Sequence, residues 1–572
     1  MARRLLTALL ACLLLVEPVV AATYYVDKDS LGGTCNDTGS GTAESEPWCT
    51  LHRALDGNPN NEEGGSGSGL TPIATSGDTV YVKTATYIDI QTDSSHAVGN
   101  ASFSIPAGVA LRAYTPSGCT HVAPDSTCRH KPVLQRRYAP NDYDTDGDKK
   151  WAVINFAGDS ATLDGFTISH YTGALDGGQI IVGSGRSHLT IENNRATRPG
   201  YDGDEGSGNP ACGNYSALYF IGPSTGYARG HFNVVRYNVF GGAKRTVNGP
   251  ETAGNCAAVK LYGQHSIDLY QNRITDSDNG IDYKINNEGG TIRLNYLHNI
   301  YERAMRIDEG GGAAVVVSMP TIKHNVFAFI GNPSSSGAIQ FGPEAASQAS
   351  GLIVRNNVFW MAGHATASGA ARGIVFDTST TRDWVGTPMP NYWNNLIVAG
   401  DVSDNEGMMS IAADYRADAG DQPPDYSNDG GCLNYNAWAK TDAATGLRIK
   451  IGATNITSFA TWQGFGASDQ YVGTNDRTIC SGGTCTHTVA DADALIAALF
   501  QGTPSATGTD PAVYKPATGG PLDGTGNTLC IGGGSAVHIG AYETGNETIG
   551  PPLSAAAATS TRPRPRRGYL LH

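Results

Sequence analysis

The chain has 572 residues, of which 73 are glycine, 40% are hydrophobic and 16% are charged. This composition excludes a disordered chain and is typical of a folded, turn-rich β protein long enough to bury a large core. The formal net charge of −14 argues against nucleic acid as a bulk partner, but a local basic groove in an acidic protein can still attract an acidic polysaccharide.

The N-terminus has the layout of a secretory signal. Arg3 and Arg4 precede an apolar run over residues 5–16, and small residues follow up to Ala21 and Ala22. The run is too short to span a membrane, so we expect a signal peptide over residues 1–22, cleaved near Ala21 or Ala22. The mature protein is therefore predicted to be soluble, secreted or periplasmic, and monomeric.

The cysteine count fits an oxidising compartment. Eleven cysteines less Cys12, which lies in the signal, leave an even ten, enough for five disulfides. Proximity along the chain favours Cys35–Cys49, Cys119–Cys128 and Cys480–Cys485. Elimination then pairs Cys212–Cys256 and Cys432–Cys530.

A repeat organises the middle of the chain. An asparagine in a similar apolar context recurs at intervals of 23 to 44 residues. The members are Asn194, Asn238, Asn272, Asn295, Asn325, Asn357 and Asn395. Between them lie short strand patterns such as AAVKLYG (257–263) and AMRIDEG (304–310), with no amphipathic helix. Such a period indicates one small unit stacked many times, and two or three short strands per turn predict an all-β, single-stranded parallel β-helix.

The asparagines themselves suggest how the coils are joined. Asparagine tolerates the left-handed conformation of a sharp bend, and we expect the repeated residues to adopt it. Each amide could also bond to the equivalent amide one coil away, at about 4.8 Å. The alternative is that asparagine is simply common in turns.

The repeat is interrupted towards the C-terminus. Residues 400–480 are expected to form a large irregular excursion or a lid. We assign residues 23–545 to the β-helix domain and residues 546–572, which end in a basic run, to a disordered tail.

Several motifs resemble a known superfamily. TYYVDKDSLGGTC (23–35), PWCTLHRAL (47–55), SGDTVYVKTATY (76–87) and SAVHIGAYE (535–543) resemble segments of secreted pectate-lyase-like proteins. Ala85 stands where that superfamily usually has a glycine. The resemblance implies a right-handed parallel β-helix with a first strand followed by an N-terminal capping helix, and it is weak evidence about function.

A group of charged residues is predicted to face outward on neighbouring coils. If their apolar neighbours point inward, then five side chains point outward: Tyr219, Lys260, Lys284, Arg306 and Gln340. Residues in register one coil apart approach within about 5 Å. We therefore expect a column Lys260–Lys284–Arg306, in which like charges would destabilise the sheet unless carboxylates or a ligand compensate them.

The chemistry that suits this column is β-elimination in a uronate-containing polysaccharide. Lys284 would be the base, since neighbouring cations lower a lysine pKa, and Arg306 would bind the carboxylate. Lys260 would be an auxiliary cation, and Tyr262 or Tyr301 would donate the proton. The remaining expected substrate contacts are Tyr219, Asp282, Asp308 and Gln340.

The pair Lys284 and Arg306 also resembles the lysine and arginine of alginate and dermatan-sulfate lyases built on this fold. Those relatives hold calcium on the preceding coil. Here that coil supplies Lys260, so the resemblance implies direct neutralisation of the substrate by Lys260 without metal.

A candidate calcium site lies elsewhere, in NDYDTDGDKK (141–150). Its expected ligands are Asp142, Asp144, Asp146 and Asp148, placed around a glycine turn. A plain acidic turn is the alternative.

Three alternatives to the lyase remain open. The charged residues could be ordinary solvent-facing strand residues paired with Asp282 and Asp308. The protein could be a glycoside hydrolase, which needs two carboxylates about 5–10 Å apart, with Asp282 and Asp308 as the pair. It could also be a non-catalytic, glycan-binding surface protein.

Overall fold

The computed structural model describes 25 segments of the chain, and all structural statements below concern these segments. They are residues 21–28, 35–90, 103–119, 127–136, 152–170, 180–183, 185–197, 216–220, 230–242, 257–284, 287–308, 317–330, 337–341, 349–350, 352–361, 372–376, 391–399, 409–411, 432–440, 449–451, 454–468, 476–480, 485–505, 508–527 and 535–551. Residues 1–20 of the predicted signal peptide, residues 552–572 of the tail, and the candidate calcium residues Asp142, Asp144, Asp146 and Asp148 lie outside them.

Short strands stack in parallel into three faces, which confirms a parallel β-helix. The first face contains Thr23–Val26, Thr79–Val82, Ala110–Ala113, Thr162–Asp164, Thr190–Glu192, Val234–Arg236, Asp268–Tyr270, Thr291–Arg293, Thr321–Lys323, Ile353–Arg355, Asn391–Trp393 and Cys432–Asn434. Each strand pairs with its equivalent in the next coil rather than with its neighbour in sequence.

The second and third faces share two long strands, Arg273–Lys284 and Tyr296–Asp308, which run through both. The second face also contains Thr86–Asp89, Val133–Arg136, Thr167–His170, Arg195–Thr197, Val239–Gly241, Val326–Ile330, Val358–Trp360, Leu396–Ala399, Ala437–Lys440, Arg477–Cys480 and His487–Thr488. The third face also contains Phe103–Ile105, Ile154–Phe156, Ile181–Val182, Leu218–Phe220, Ala257–Tyr262, Gly337–Phe341, Arg372–Phe376, Met409–Ile411 and Ile449–Ile451, and Thr454–Ile456 pairs antiparallel to the last.

The other elements are short. The helices are Leu51–Leu55, Phe459–Ser468 and Ala492–Leu499, with 3₁₀ turns at Pro59–Asn61 and Pro511–Tyr514. Three two-stranded pairs are Gly230–His231 with Gln264–His265, Val317–Ser318 with Ala349–Ser350, and Gly526–Asn527 with Ala536–Val537. A helix therefore follows the first strand as expected, but its capping role stays a prediction. None of the helices among the described residues is long and apolar enough to cross a membrane.

The core fills the inside of the coils because alternate residues of each strand point inward. On the first face the middle residue of successive strands is apolar, as in Leu269, Ile292 and Ile322, all with no exposed surface. These inward residues join those of the other two faces in one continuous cluster.

The predicted asparagine ladder is confirmed at all seven positions. Each backbone N–H donates to the side-chain oxygen of the next asparagine, at 2.9 to 3.1 Å. Each side-chain Nδ2 donates to the same oxygen. The ladder residues are almost wholly buried, so these bonds satisfy polar groups that water cannot reach.

The ladder extends beyond the predicted repeat. Asn395 donates to Asn436, and Asn436 donates to Asp476 at 2.8 Å. Asp476 also accepts from the indole N–H groups of Trp438 and Trp462. Burial raises the pKa of Asp476 to about 6, although these hydrogen bonds lower it. Strands Cys432–Asn434 and Ala437–Lys440 thus continue the coils into the region predicted to break the repeat.

The expectation that the ladder asparagines take the left-handed bend is wrong. The residue before each one does so, with φ between 51° and 58°. These residues are Asn193, Tyr237, Gln271, Leu294, His324, Asn356, Asn394 and Tyr435. The ladder side chain must point inward to reach its neighbours, so the turn is made by the residue preceding it.

Two predicted disulfides are present, Cys35–Cys49 and Cys119–Cys128. Cys485 is disulfide-bonded as well. The pairs Cys212–Cys256 and Cys432–Cys530 include cysteines outside the described residues.

Replacing Asn325 by alanine tests the ladder. The N–H of Asn295 would lose its acceptor, and the carbonyl of Ile292 would lose its donor. Each such buried loss costs about 1–3 kcal/mol, so we expect the free energy of unfolding to fall by about 2–4 kcal/mol in denaturant titration. Asn546→Ala, at an exposed position, should stay within about 0.5 kcal/mol of the native protein. Equal stability of the two variants would contradict a stabilising ladder.

Candidate active site on the third face

The third face carries a column of outward-facing side chains. Strand pairing places Tyr219 beside Lys260, Lys260 beside Asp282, Asp282 beside Arg306, and Arg306 beside Gln340. Successive members therefore lie one strand spacing apart, about 4.8 Å at the backbone. We call these five residues the third-face column.

The predicted column is wrong in its middle member. Asp282, and not Lys284, lies between Lys260 and Arg306. Lys284 is two residues further along the strand, in register with Tyr262 and Asp308. Charges in the column therefore alternate in sign, and a carboxylate compensates the cations on either side.

Lys284 still reaches the column through its side chain. Its Nζ lies 3.5 Å from Oδ2 of Asp282, and both side chains are buried. Both carboxylate oxygens of Asp282 are buried and accept no hydrogen bond within the described part of the chain. Its negative charge is thus balanced by the neighbouring cations and not by hydrogen-bond donors.

The ammonium group of Lys260 is strongly perturbed by its surroundings. Its side chain has no exposed surface, and burial lowers its pKa to about 7. Asp282 raises the pKa, whereas Lys284 and Arg306 lower it further. A lysine with a pKa near 7 is partly neutral at physiological pH and can accept a proton.

A second acid lies beside the column and was missed by sequence reasoning. Glu302 is buried, its Oε1 lies 2.7 Å from Nη2 of Arg303, and its Oε2 accepts from Asn279 at 3.4 Å. Burial raises the pKa of Glu302; Arg303 lowers it and Asp282 raises it. No sequence signal marked this residue, because it lies within a bulge: Ser277 pairs with Ile300 but Asn279 pairs with Arg303, so Glu302 has no partner in the regular register.

The remaining predicted contacts surround these groups. The rings of Tyr219 and Tyr262 meet edge to face, 5.8 Å apart, beside Val182 and Ala152. Gln340 is half-buried at the end of the column. The backbone of Asp308 is in register with Lys284, but its side chain lies outside the description, so the separation of Asp282 and Asp308 stays untested.

No set of three or more histidine, cysteine or acidic side chains within the described segments is arranged to hold a metal ion. The calcium site predicted in residues 141–150 falls outside those segments and stays a prediction.

Comparison with known proteins finds solved structures of low sequence identity. No family model and no curated protein sequence matches the chain. Among solved structures, it is similar to pectate lyase Pel9A, with 12% identity, 91% of this chain and 97% of that chain covered, and a TM-score of 0.39. It is similar to XylC in complex with xylose, with 13% identity, 73% and 83% covered, and a TM-score of 0.37. It is also similar to the tailspike protein of E. coli bacteriophage HK620 in complex with a pentasaccharide, with 12% identity, 65% and 71% covered, and a TM-score of 0.28.

The buried state of Lys260 can be tested through stability. Its folded pKa of about 7 lies below the ordinary value of 10.5, so between these pH values the unfolded chain binds more protons than the folded one. The native protein should therefore gain stability from Lys260 as pH rises from 7 to 10.5. We expect the free energy of unfolding of Lys260→Met, relative to native, to fall between pH 6 and pH 9 in denaturant titrations.

The matched control is Lys131→Met, at an exposed position. Its free energy of unfolding should stay within about 0.5 kcal/mol of that of the native protein at both pH values, as is usual for a surface substitution. A pH-independent difference for Lys260→Met as well would contradict the lowered pKa.

Proposed function

We propose that this protein is an exported enzyme that cleaves a uronate-containing polysaccharide by β-elimination at the third-face column. The observation that carries the proposal is the cluster of Lys260, Lys284 and Arg306 around the single carboxylate of Asp282. A buried cluster of cations suits a substrate that carries its own carboxylate. The secreted location and the monomeric state remain predictions from the sequence.

Lys260 is the base in this proposal, in place of Lys284. A general base works best when its pKa lies near the working pH, and Lys260 has a pKa of about 7. Lys284 is held 3.5 Å from Oδ2 of Asp282, where it forms an ion pair with that carboxylate. Lys284 then acts as the auxiliary cation that the sequence assigned to Lys260.

The reaction needs one proton removed and one supplied. Arg306 binds the uronate carboxylate and stabilises the negative charge that develops when the neutral amine of Lys260 takes the proton from C5. The C4–O bond then breaks, its electrons leave with the oxygen, and a double bond forms between C4 and C5. Tyr262 or the newly protonated Lys260 gives a proton to the leaving oxygen.

Hydrolysis is the second candidate, and Glu302 favours it. Glycoside hydrolases use one carboxyl group that stays protonated as the acid and one ionised carboxylate. Burial and the nearby charge of Asp282 both raise the pKa of Glu302. Asp282 would supply the second carboxylate, and Glu302 replaces the predicted partner Asp308 in this candidate.

One assay separates the candidates. The purified protein is incubated with alginate, polygalacturonate and dermatan sulfate, and both reducing ends and the ultraviolet absorbance of unsaturated sugars are followed. A lyase gives both signals, whereas a hydrolase gives reducing ends alone. Hydrolysis would replace β-elimination as the proposed reaction if the native protein produced reducing ends without ultraviolet absorbance. In that case Glu302→Gln should produce no reducing ends.

The lyase mechanism predicts a specific pattern among lysine variants. Lys260→Ala should lower kcat at least about 100-fold, in line with the usual contribution of a general base. Native kcat/KM should rise through about pH 7 and then level off. Lys131→Ala, a surface control, should match the native rate. The mechanism would be contradicted if Lys260→Ala kept the native kcat, or if the native protein formed no product from any of the glycans.

A further inference from the structure

The first face carries a second outward-facing column, whose charges are arranged differently from those of the third face. Strand pairing places Tyr270 beside Arg293, Arg293 beside Lys323, Lys323 beside Arg355, and Arg355 beside Trp393. We call these five residues the first-face column. Three positively charged side chains therefore follow one another along the column, with an aromatic residue at each end.

Consecutive like charges in a sheet are destabilising, and here only the outer two are compensated. Arg293 donates to both oxygens of Asp268, at 3.1 and 2.8 Å. Arg355 lies 3.5 Å from Oε2 of Glu543. Lys323 makes no ion pair with a described carboxylate.

Lys323 accordingly lies in a positive environment. Burial lowers its pKa, and Arg355 and Arg293 lower it further, whereas Glu543 and Asp268 raise it. It is half-buried, so its ammonium group remains accessible. An anion placed at Lys323 would relieve the repulsion along the column.

The aromatic ends hold the two arginines in place. The guanidinium of Arg293 lies 4.1 Å from the ring centre of Tyr270, and that of Arg355 lies 5.6 Å from the ring centre of Trp393. These contacts favour extended arginine side chains that lie along the column. Thr291 and Thr321, in register on the same strands, are half-buried and add hydroxyl groups beside the cations.

We infer that the first-face column of Tyr270, Arg293, Lys323, Arg355 and Trp393 is a second binding site for an acidic polysaccharide, separate from the reaction site on the third face. The three cations span about 10 Å, or two strand spacings, which is too long for one carboxylate or sulfate group but suits successive acidic sugars running along the helix axis. Towards the N-terminus the same register passes to Arg236, then Glu192 and Asp164, so acidic residues limit the site at that end.

This site would hold a polymer while another part of it is cleaved, but it does not depend on cleavage. Carboxylate and sulfate groups share the chemistry that the cations recognise. The ligand is thus an anionic polysaccharide of either kind, and binding measurements must distinguish the two.

The test measures retardation of the full-length protein in native gels containing polygalacturonate, dextran sulfate or neutral dextran. Lys323→Gln should lower affinity for an acidic polymer about three- to tenfold, the range expected for one partly exposed charged contact. Lys323→Arg keeps the charge and should bind like the native protein. Lys131→Gln is the matched surface control.

The same variants are repeated with Arg306→Ala to remove the carboxylate binder of the third face. The effect of Lys323→Gln should persist there, because the two sites are separate. Retardation by only one of the acidic polymers supports the site and identifies the recognised group. Normal retardation of Lys323→Gln in both backgrounds, or equal retardation by neutral dextran, would overturn it.

Two controls separate an effect on binding from effects on folding and on catalysis. Lys323→Gln removes a repulsion, so its thermal midpoint should not fall below that of the native protein, and a large fall would contradict the charge argument. An inactive protein that shows Lys323-dependent binding would overturn only the lyase proposal. An active protein without such binding would overturn only the second site.

Discussion

The hydrogen-bonded asparagine ladder is the constraint on which the rest of the structure depends. Each buried amide both accepts from and donates to the adjacent coils, so it fixes how one coil sits on the next. A shift of one residue would leave buried groups without partners, at about 1–3 kcal/mol for each. With coils held in register, side chains from distant parts of the sequence form straight columns on each face.

Two of these columns show how the register of the strands determines which charged side chains become neighbours. On the third face, Lys260, Asp282 and Arg306 alternate in charge and are largely buried, which allows one lysine to lose its proton near neutral pH. On the first face, Arg293, Lys323 and Arg355 repeat one charge and stay half-exposed. The first arrangement suits proton transfer, whereas the second suits binding of a charged polymer. Both are local basic regions in a protein whose formal charge is −14.

The fold could be predicted from sequence because its main signal is local. An asparagine beside apolar residues marks one corner of each coil, and seven occurrences were enough to identify the repeat. Asn436 and Asp476 were missed because residues 400–480 were expected to interrupt the repeat, and because the last step of the ladder uses an aspartate in place of an asparagine. The left-handed residue was misplaced by one position, since the sequence shows that a bend occurs but not which of two adjacent residues makes it.

The site was predicted only in part, because residue spacing along the chain does not show where the pairing of two strands shifts. Asp282 lies ten residues after Asn272, but its partner Arg306 lies eleven after Asn295, because the pairing shifts at the bend near Ser277. The number of residues from a ladder asparagine therefore does not give the strand register on the third face. Lys284 was accordingly expected in the column, at the position that Asp282 occupies. Each residue of the first-face column lies two positions before a ladder asparagine, and the pairing of its strands shows no shift. Its charges were nevertheless not predicted to form a site.

The central claim is that Lys260 is a buried lysine poised to accept a proton, and its titration can be observed directly. Protein labelled with ¹³C at lysine Cε is titrated between pH 5 and pH 11 by NMR, and the Lys260 signal is assigned by its loss in Lys260→Met. We predict that this signal titrates near pH 7, well below the ordinary lysine pKa of about 10.5 that holds for exposed lysines in general. A Lys260 signal that titrates together with the exposed lysines would contradict the account.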